Sequence, residues 1–277
     1  MSIIKLLDDF SSEKLTTKSS SRREMFNTLG SFGKKAAAAA VPFGLATNSA
    51  SASTMFFDHE GPLGLALVLE YLEAEFYMKA LESGVLAPDS RAEKVYMQIS
   101  KHEDAHVAFL MEALGDDAPA KPTFDFTAGG AFDPFNEGGI GQETAYAQLL
   151  ALAQAFEDTG VRAYKGQAPN LMGTPYLEPA LQIHSVEARH ASEIRRIRGL
   201  KGWITGSMRG DGMPEATQAV YDGEENVTQG GVNLVTDLTY ADEIVGDLTA
   251  AVTQAFDEPI TGETAQAIAG LFIVSDE

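Results

Sequence analysis

Glu103-Asp104-Ala105-His106 and Glu187-Ala188-Arg189-His190 are the two phrases on which the reading of this chain turns. Each sets a carboxylate and an imidazole three residues apart. On a helix of about 3.6 residues per turn that spacing puts both side chains on one face, where they form a chelating pair for a metal ion. One such pair in a chain with 40 acidic residues is a weak signal. What stands upstream of each phrase makes the two informative.

Before the first phrase comes Glu70, followed seven residues later by Tyr77; before the second comes Glu157, followed seven later by Tyr164. Seven residues is two helical turns, so each Tyr shares a face with its Glu. Ile99 and Ile183 also correspond, each four residues before the Glu of its phrase. The separations Glu70 to Glu103 and Glu157 to Glu187 are 33 and 30 residues, as expected of one unit used twice with turns of different length.

The flanking sequence reads as four long helices. The first runs from Pro62 to Leu81, opening on Pro and closing before Gly84. Pro88 and Ser90 start a second, which Gly115 ends after Leu114. A third spans about Glu143 to Tyr164 and a fourth about Pro175 to Leu200, with Gly166, Pro169, Asn170 and Gly173 between them. Residues 115–141 hold three Pro, six Gly and four Phe without a sustained period. A loop of that length needs a reason inside a compact domain, and a four-helix bundle with one long crossover supplies it, because the chain must travel the bundle's length to begin its second pair. Phe124, Phe126, Phe132 and Phe135 would pin that crossover down. After Gly202 a stretch rich in Gly and polar residues leads to two shorter helices, about Tyr240 to Phe256 and Gly262 to Phe272. The fold class is therefore all-α. The expected division is a leader over 1–52, the bundle over 53–201, and a C-terminal extension over 202–277 that covers a bundle face or mediates assembly.

A Glu on one helix and Glu-x-x-His on the next, twice over, resembles the ferritin-like superfamily of di-iron and di-manganese carboxylate proteins. The resemblance implies a metal centre of Glu70, Glu103, His106, Glu157, Glu187 and His190. Tyr77 and Tyr164 are similar in place to the Tyr of bacterioferritins and rubrerythrins that hydrogen-bonds a ligand. The run Leu67 to Tyr77, the later Ala255-Phe256-Asp257-Glu258-Pro259 and the leader described below resemble bacterial ferritin-like proteins labelled desiccation-related.

Charge gives independent support. Two divalent cations balance the four carboxylates Glu70, Glu103, Glu157 and Glu187, whereas without metal those groups would repel one another or take up protons to stay buried. Glu73 competes with Glu70, since it also faces inward. The repeat favours Glu70: it matches Glu157, whereas the position matching Glu73 is Gly160. Glu75, Asp104 and Asp158 read as solvated or supporting groups, and His102 and His184 as surface or packing residues. Oxygen and nitrogen donors without thiolate suit iron, manganese or zinc, and the carboxylate-rich balance favours two iron or two manganese ions.

The chain carries a formal net charge of -20, which argues against a nucleic-acid partner. It has no stretch of the roughly 18 apolar residues that a membrane span needs. The first 52 residues differ from the rest: they hold seven of the 20 Lys and Arg, which leaves 13 bases against 36 acids beyond them. Ser21-Arg22-Arg23-Glu24-Met25-Phe26, an apolar run from Ala36 to Ala46 and then Ala50-Ser51-Ala52 are the parts of an export signal, and the paired arginines resemble a twin-arginine signal, the route for folded proteins. Lys34 and Lys35 interrupt its apolar region. Cleavage near Ala52 would place the protein in the periplasm or beyond, where disulfides are permitted, yet the chain has no Cys.

Three uses fit these residues: redox chemistry on peroxide or dioxygen of a catalase-like, peroxidase-like or ferroxidase-like kind, metal sequestration, and a stress or structural protein with little turnover, in oxidative or desiccation stress. A ferritin cage is disfavoured because crossover and extension would occupy shell-forming surface; a smaller homo-oligomer stays open.

Overall fold

The computed structural model describes residues 61–237 and 246–274. The leader with its expected cleavage near Ala52, as well as His59, lies outside the described residues, and so does the start of the helix expected from Tyr240. Four long helices form the bundle: α1 (Pro62–Glu82), α2 (Arg91–Leu114), α3 (Gln142–Gln167) and α4 (Leu177–Ile197). Two short ones follow, α5 (Leu248–Thr253) and α6 (Gly262–Gly270). No described helix is long and apolar enough to cross a membrane.

Local chemistry sets the ends. Pro62 opens α1, where its missing N–H costs nothing. Ser90 caps α2 by accepting from the Glu93 amide at 3.1 Å, and Gly115, at φ 56°, stops it in a conformation that favours glycine. The expected helix from Tyr240 to Phe256 is cut back to α5, because Gly246 at φ 105° cannot sit in a helix and Asp247 begins a new one by accepting from Ala250 N at 3.1 Å.

α1 pairs with α2 and α3 with α4, and α1 against α3 and α2 against α4 complete the bundle. α1 and α3 are buried around most of their circumference, whereas α2 and α4 bury one stripe each. What covers α1 and α3 on their outer side is the crossover and the extension. Phe126 and Phe135 of the crossover pack at a tilt against Phe76 of α1, with ring centroids 5.5 and 5.7 Å from its own. Phe156 of α3 meets Phe272, just past α6, at 4.9 Å. Asp125 N donates to Phe272 O at 2.8 Å and Val274 N to Thr123 O at 2.9 Å, so the C-terminal strand segment ties the crossover down.

The extension is anchored on α3 by Arg162, which is 1% exposed. Its guanidinium donates to the carbonyls of Val220, Asp222 and Glu258 and pairs with Glu224 at 2.8 Å. Four residues on, Gly166 lets the chain come closer still: a Cβ there would lie 1.9 Å from the Ile260 carbonyl oxygen. A hairpin, β1 (Thr228–Gln229) and β2 (Val232–Asn233), pairs Thr228 with Asn233 across Gly230-Gly231.

Candidate metal centre

Each bundle helix carries its share of the predicted site inward. Glu70 and Tyr77 lie on α1, Glu103 and His106 on α2, Glu157 and Tyr164 on α3, and Glu187 and His190 on α4. The four carboxylates are 0% exposed, and both imidazoles are buried. His106 Nδ1 is 3.0 Å from Glu103 Oε2, 3.2 Å from Glu70 Oε2 and 3.2 Å from Glu187 Oε1. His190 Nδ1 is 3.0 Å from Glu103 Oε1, 3.1 Å from Glu157 Oε2 and 3.8 Å from Glu187 Oε2.

That crowding cannot be a set of ordinary hydrogen bonds. One N–H satisfies one acceptor well, so three carboxylates around each Nδ1 leave oxygens over. Glu103 Oε1 and both oxygens of Glu187 have no hydrogen-bond partner among the described residues, although they are fully buried. Unpaired buried carboxylate oxygens are costly. The donors sort into two groups whose ligand atoms lie within 4.8 Å of one another: Glu70, Glu103, His106 and Glu187, and Glu103, Glu157, Glu187 and His190. Atoms about 2 Å from a shared ion are necessarily this close. Each group therefore has the donors and the spacing to hold a metal ion, and Glu103 and Glu187 belong to both.

The protonation of the metal-free cluster follows from burial and neighbours. Burial, with repulsion from Glu187, pushes Glu70 well up; burial also raises Glu157, against the pull of His190. Burial alone would push Glu187 up too, but the nearby rings of His106 and His190 hold it at about 2. His106 is opposed by burial and carried up to about 12 by its carboxylates; His190 is raised by the same balance. Without metal, such a cluster is held together by protons in the place that cations can take.

Tyr77 donates to Glu157 Oε1 and Tyr164 to Glu70 Oε1. The bonds cross between halves: each Tyr serves the Glu of the other unit rather than the Glu on its own helix. Burial, and then the charge of the accepting Glu, raises both phenols and keeps them as donors.

The sequence matches the ferritin-like domain family over residues 61–200, half of the chain. The chain belongs to the ferritin-like family. No curated protein matches it. Within the ferritin-like domain the matched span ends at the close of the fourth helix, so the C-terminal extension lies beyond it.

Two residues read otherwise from sequence bear on the site. His102 is a neighbour of the centre rather than a surface or packing residue. Its Nδ1 lies 2.8 Å from His190 Nε2, the two rings stack with centroids 5.1 Å apart, and the Gln98 amide is 2.7 Å from His102 Nε2. The signal that would have found it is the four-residue spacing from His106, which puts both on one face of α2. Glu73 is the other: it is 3% exposed and lies outside both donor groups, yet beside them. Asp158 is buried and paired with Arg195, with Tyr221 donating to it at 2.8 Å. His184 Nδ1 bonds the Val161 carbonyl at 2.9 Å, which is a packing role. Glu75 meets Lys79 at 3.3 Å and Lys121 at 2.7 Å near the surface, and Asp104 is exposed.

Proposed function

We propose that this ferritin-like protein binds two iron or two manganese ions, one in each donor group, and uses them in redox chemistry on peroxide or dioxygen under oxidative or desiccation stress. The observation that carries the proposal is the pair of buried carboxylates Glu103 and Glu187, three of whose four oxygens have no hydrogen-bond partner among the described residues, shared by two groups that each add one further Glu and one His. When bound, such a pair supplies one-electron cycling between divalent and trivalent states. The chain's part is structural and electrostatic. Glu103 and Glu187 would be shared by both ions, Glu70 and Glu157 would each serve one, and Tyr77 and Tyr164 orient those two carboxylates by donating to the oxygen turned away from the imidazole. His102 holds the far nitrogen of His190, which fixes the ring and leaves Nδ1 for the ion. Burial of every carboxylate keeps bulk water out.

The leader supports export in folded form after cleavage near Ala52, so that metal is taken up before the protein leaves the cytoplasm. A second reading is a bundle kept for stability, with little turnover, and the complete enclosure of all four carboxylates favours it. Metal analysis of protein purified from its native source, with absorption spectra before and after peroxide, separates the two. Two ions per chain and peroxide turnover support the redox reading; two ions without any spectral response support the structural one. No metal at all would sink the redox reading.

A further inference from the structure

Where the extension meets the bundle, a cavity of about 100 Å³ is lined by Asp158 of α3, Ser192 and Arg195 of α4, Trp203, and residues 254–257 just past α5. A water takes about 30 Å³ of liquid, so a polar cavity of this size holds several waters or one small solute. Three of its polar groups have nothing in the protein to bond. Arg195 is 3% exposed and spends Nε and Nη2 on Asp158, which leaves Nη1 without a partner among the described residues. The Ser192 hydroxyl has none there either, and neither has the Asp257 carboxylate, because Lys165 bonds the Asp257 backbone carbonyl instead. Arg195 and Asp257 attract each other, yet they form no ion pair. Burial, and then the charge of Asp158, raises the Asp257 carboxyl, the mark of a carboxylate short of positive charge.

The apolar part of the lining is open. Trp203, the single Trp of the chain, is 47% exposed, and Phe256 is exposed as well. Neither ring packs on another ring among the described residues. The segment that carries Trp203 lies against Ser192: a Cβ on Gly202 would be 2.5 Å from Ser192 Oγ. The cavity thus offers a guanidinium N–H and a hydroxyl to an acceptor, and a carboxylate with two aromatic rings to a cation. Ring faces are negative and attract cations, quaternary ammonium groups above all. Asp158 neutralises Arg195, so the uncompensated charge of the lining is that of Asp257. A simple anion is therefore repelled, and a simple cation leaves the donors unused.

We propose that this cavity binds a small zwitterion, a quaternary ammonium carboxylate. Its ammonium group lies by Asp257 and the rings of Trp203 and Phe256, and its carboxylate accepts from Arg195 Nη1 and the Ser192 hydroxyl.

The test uses full-length protein with glycine betaine as the probe. Trp203 fluorescence reports occupancy without interference from another Trp, and calorimetry gives the affinity. Three analogues divide the ligand: tert-butylacetate keeps its shape without the positive charge, choline lacks the carboxylate, and glucose offers hydroxyls alone. The expected result is saturable binding of glycine betaine with a change in Trp203 emission, and binding of tert-butylacetate and choline weaker by at least about tenfold. Asp257→Asn and Trp203→Ala, the latter followed by calorimetry, should each weaken glycine betaine by at least about tenfold, and Ser192→Ala by about threefold. All three side chains are at least partly exposed, so these variants keep the fold, and an unchanged melting temperature verifies it. No saturable binding of glycine betaine would overturn the proposal. So would tert-butylacetate binding as well as glycine betaine, affinity left unchanged by both Asp257→Asn and Trp203→Ala, or tighter binding of glucose, which marks a polyol site.

Discussion

The first helix pair and the second carry matching candidate donors, yet they are built differently around them. Ligand positions on α1–α2 and α3–α4 match throughout, whereas the supporting positions do not: Glu73 faces Gly160, His102 corresponds to Val186, Tyr71 to Asp158, and Glu75 to Arg162. On the second pair the non-ligand positions turn outward to hold the extension. Arg162 binds three of its carbonyls, and Asp158 with Arg195 meets its Tyr221. On the first pair Glu75 meets lysines near the surface. A symmetric centre has been retained inside a scaffold whose two halves serve different neighbours.

The strongest way to break the symmetry is at the ligands that belong to both halves. Glu103→Ala or Glu187→Ala should reduce bound metal from two ions per chain to none, because each carboxylate serves both positions. Glu70→Ala or Glu157→Ala should leave one. Elemental analysis of the four purified variants decides it, and a single remaining ion in Glu103→Ala would show that the carboxylate does not bridge.

Proton linkage gives the next largest effect. In metal-free protein Glu70, Glu73 and Glu157 are raised, mainly by burial, so above the ordinary carboxylate range of about 4.3 the folded state holds protons that the unfolded state has released, and stability falls as pH rises. His106, raised to about 12, adds stability that is complete below about 6.5 and is lost as pH climbs toward 12. Glu187, held at about 2, acts the other way: its contribution is present above about 4.3 and is lost as pH falls toward 2. Between pH 5.5 and 8 the signs agree, at up to about 1.4 kcal/mol per pH unit for each proton retained. The surface charge is common to loaded and empty protein, so the gap between their melting temperatures isolates the centre. That gap should widen from pH 5.5 to 8; a constant gap would mean that the buried carboxylates do not titrate with the metal.

Away from the ligands, the matched positions 162 and 75 should respond very differently. Arg162→Met leaves Glu224 buried without its partner and strips three carbonyls of a donor, at a cost of about 3–5 kcal/mol. Glu75→Gln, at the equivalent place on α1, removes contacts to Lys79 and Lys121 worth about 1 kcal/mol or less. Denaturant unfolding of both variants measures the difference. Equal losses would show that the extension contributes no more to α3 than two surface lysines do to α1.

The long helices, the crossover and the six donors that come together in the bundle were legible because they obey local rules: helical spacing, Pro and Gly at the ends, and one pattern used twice. What escaped depends on meetings between segments far apart in the chain. His102 sits one residue before a ligand and looks out of register until α4 is placed beside α2. The crossed bonds of Tyr77 and Tyr164 need all four helices in place, since spacing shows only that each Tyr shares a face with its own Glu. Nothing in the spacing marks Arg162, whose partners all lie in the extension. Gly160 served in the sequence only to set Glu70 ahead of Glu73, whereas in the folded chain a side chain there would meet Glu73 Oε1 at 3.4 Å.

His102 offers the finest test of the asymmetry, because its counterpart is an apolar residue that cannot repeat its role. With the Gln98 amide turned so that its oxygen accepts from His102 Nε2, His102 Nδ1 can accept from His190 Nε2, fixing the tautomer that leaves Nδ1 of His190 facing Glu103 and Glu157. Burial, and then the neighbouring His190, lowers the pKa of His102, which suits a neutral acceptor. Partners of this kind typically alter metal affinity by about 10–100-fold. His102→Phe keeps the stacking on His190 and loses only the acceptor, so it should weaken the ion at the Glu157–His190 position by about tenfold and leave the Glu70–His106 position unchanged. Val186→Ala, at the matching place on α4, should change neither. Stepwise metal titration resolves the two ions, and equal weakening of both by His102→Phe would show that the residue acts through overall stability rather than through His190.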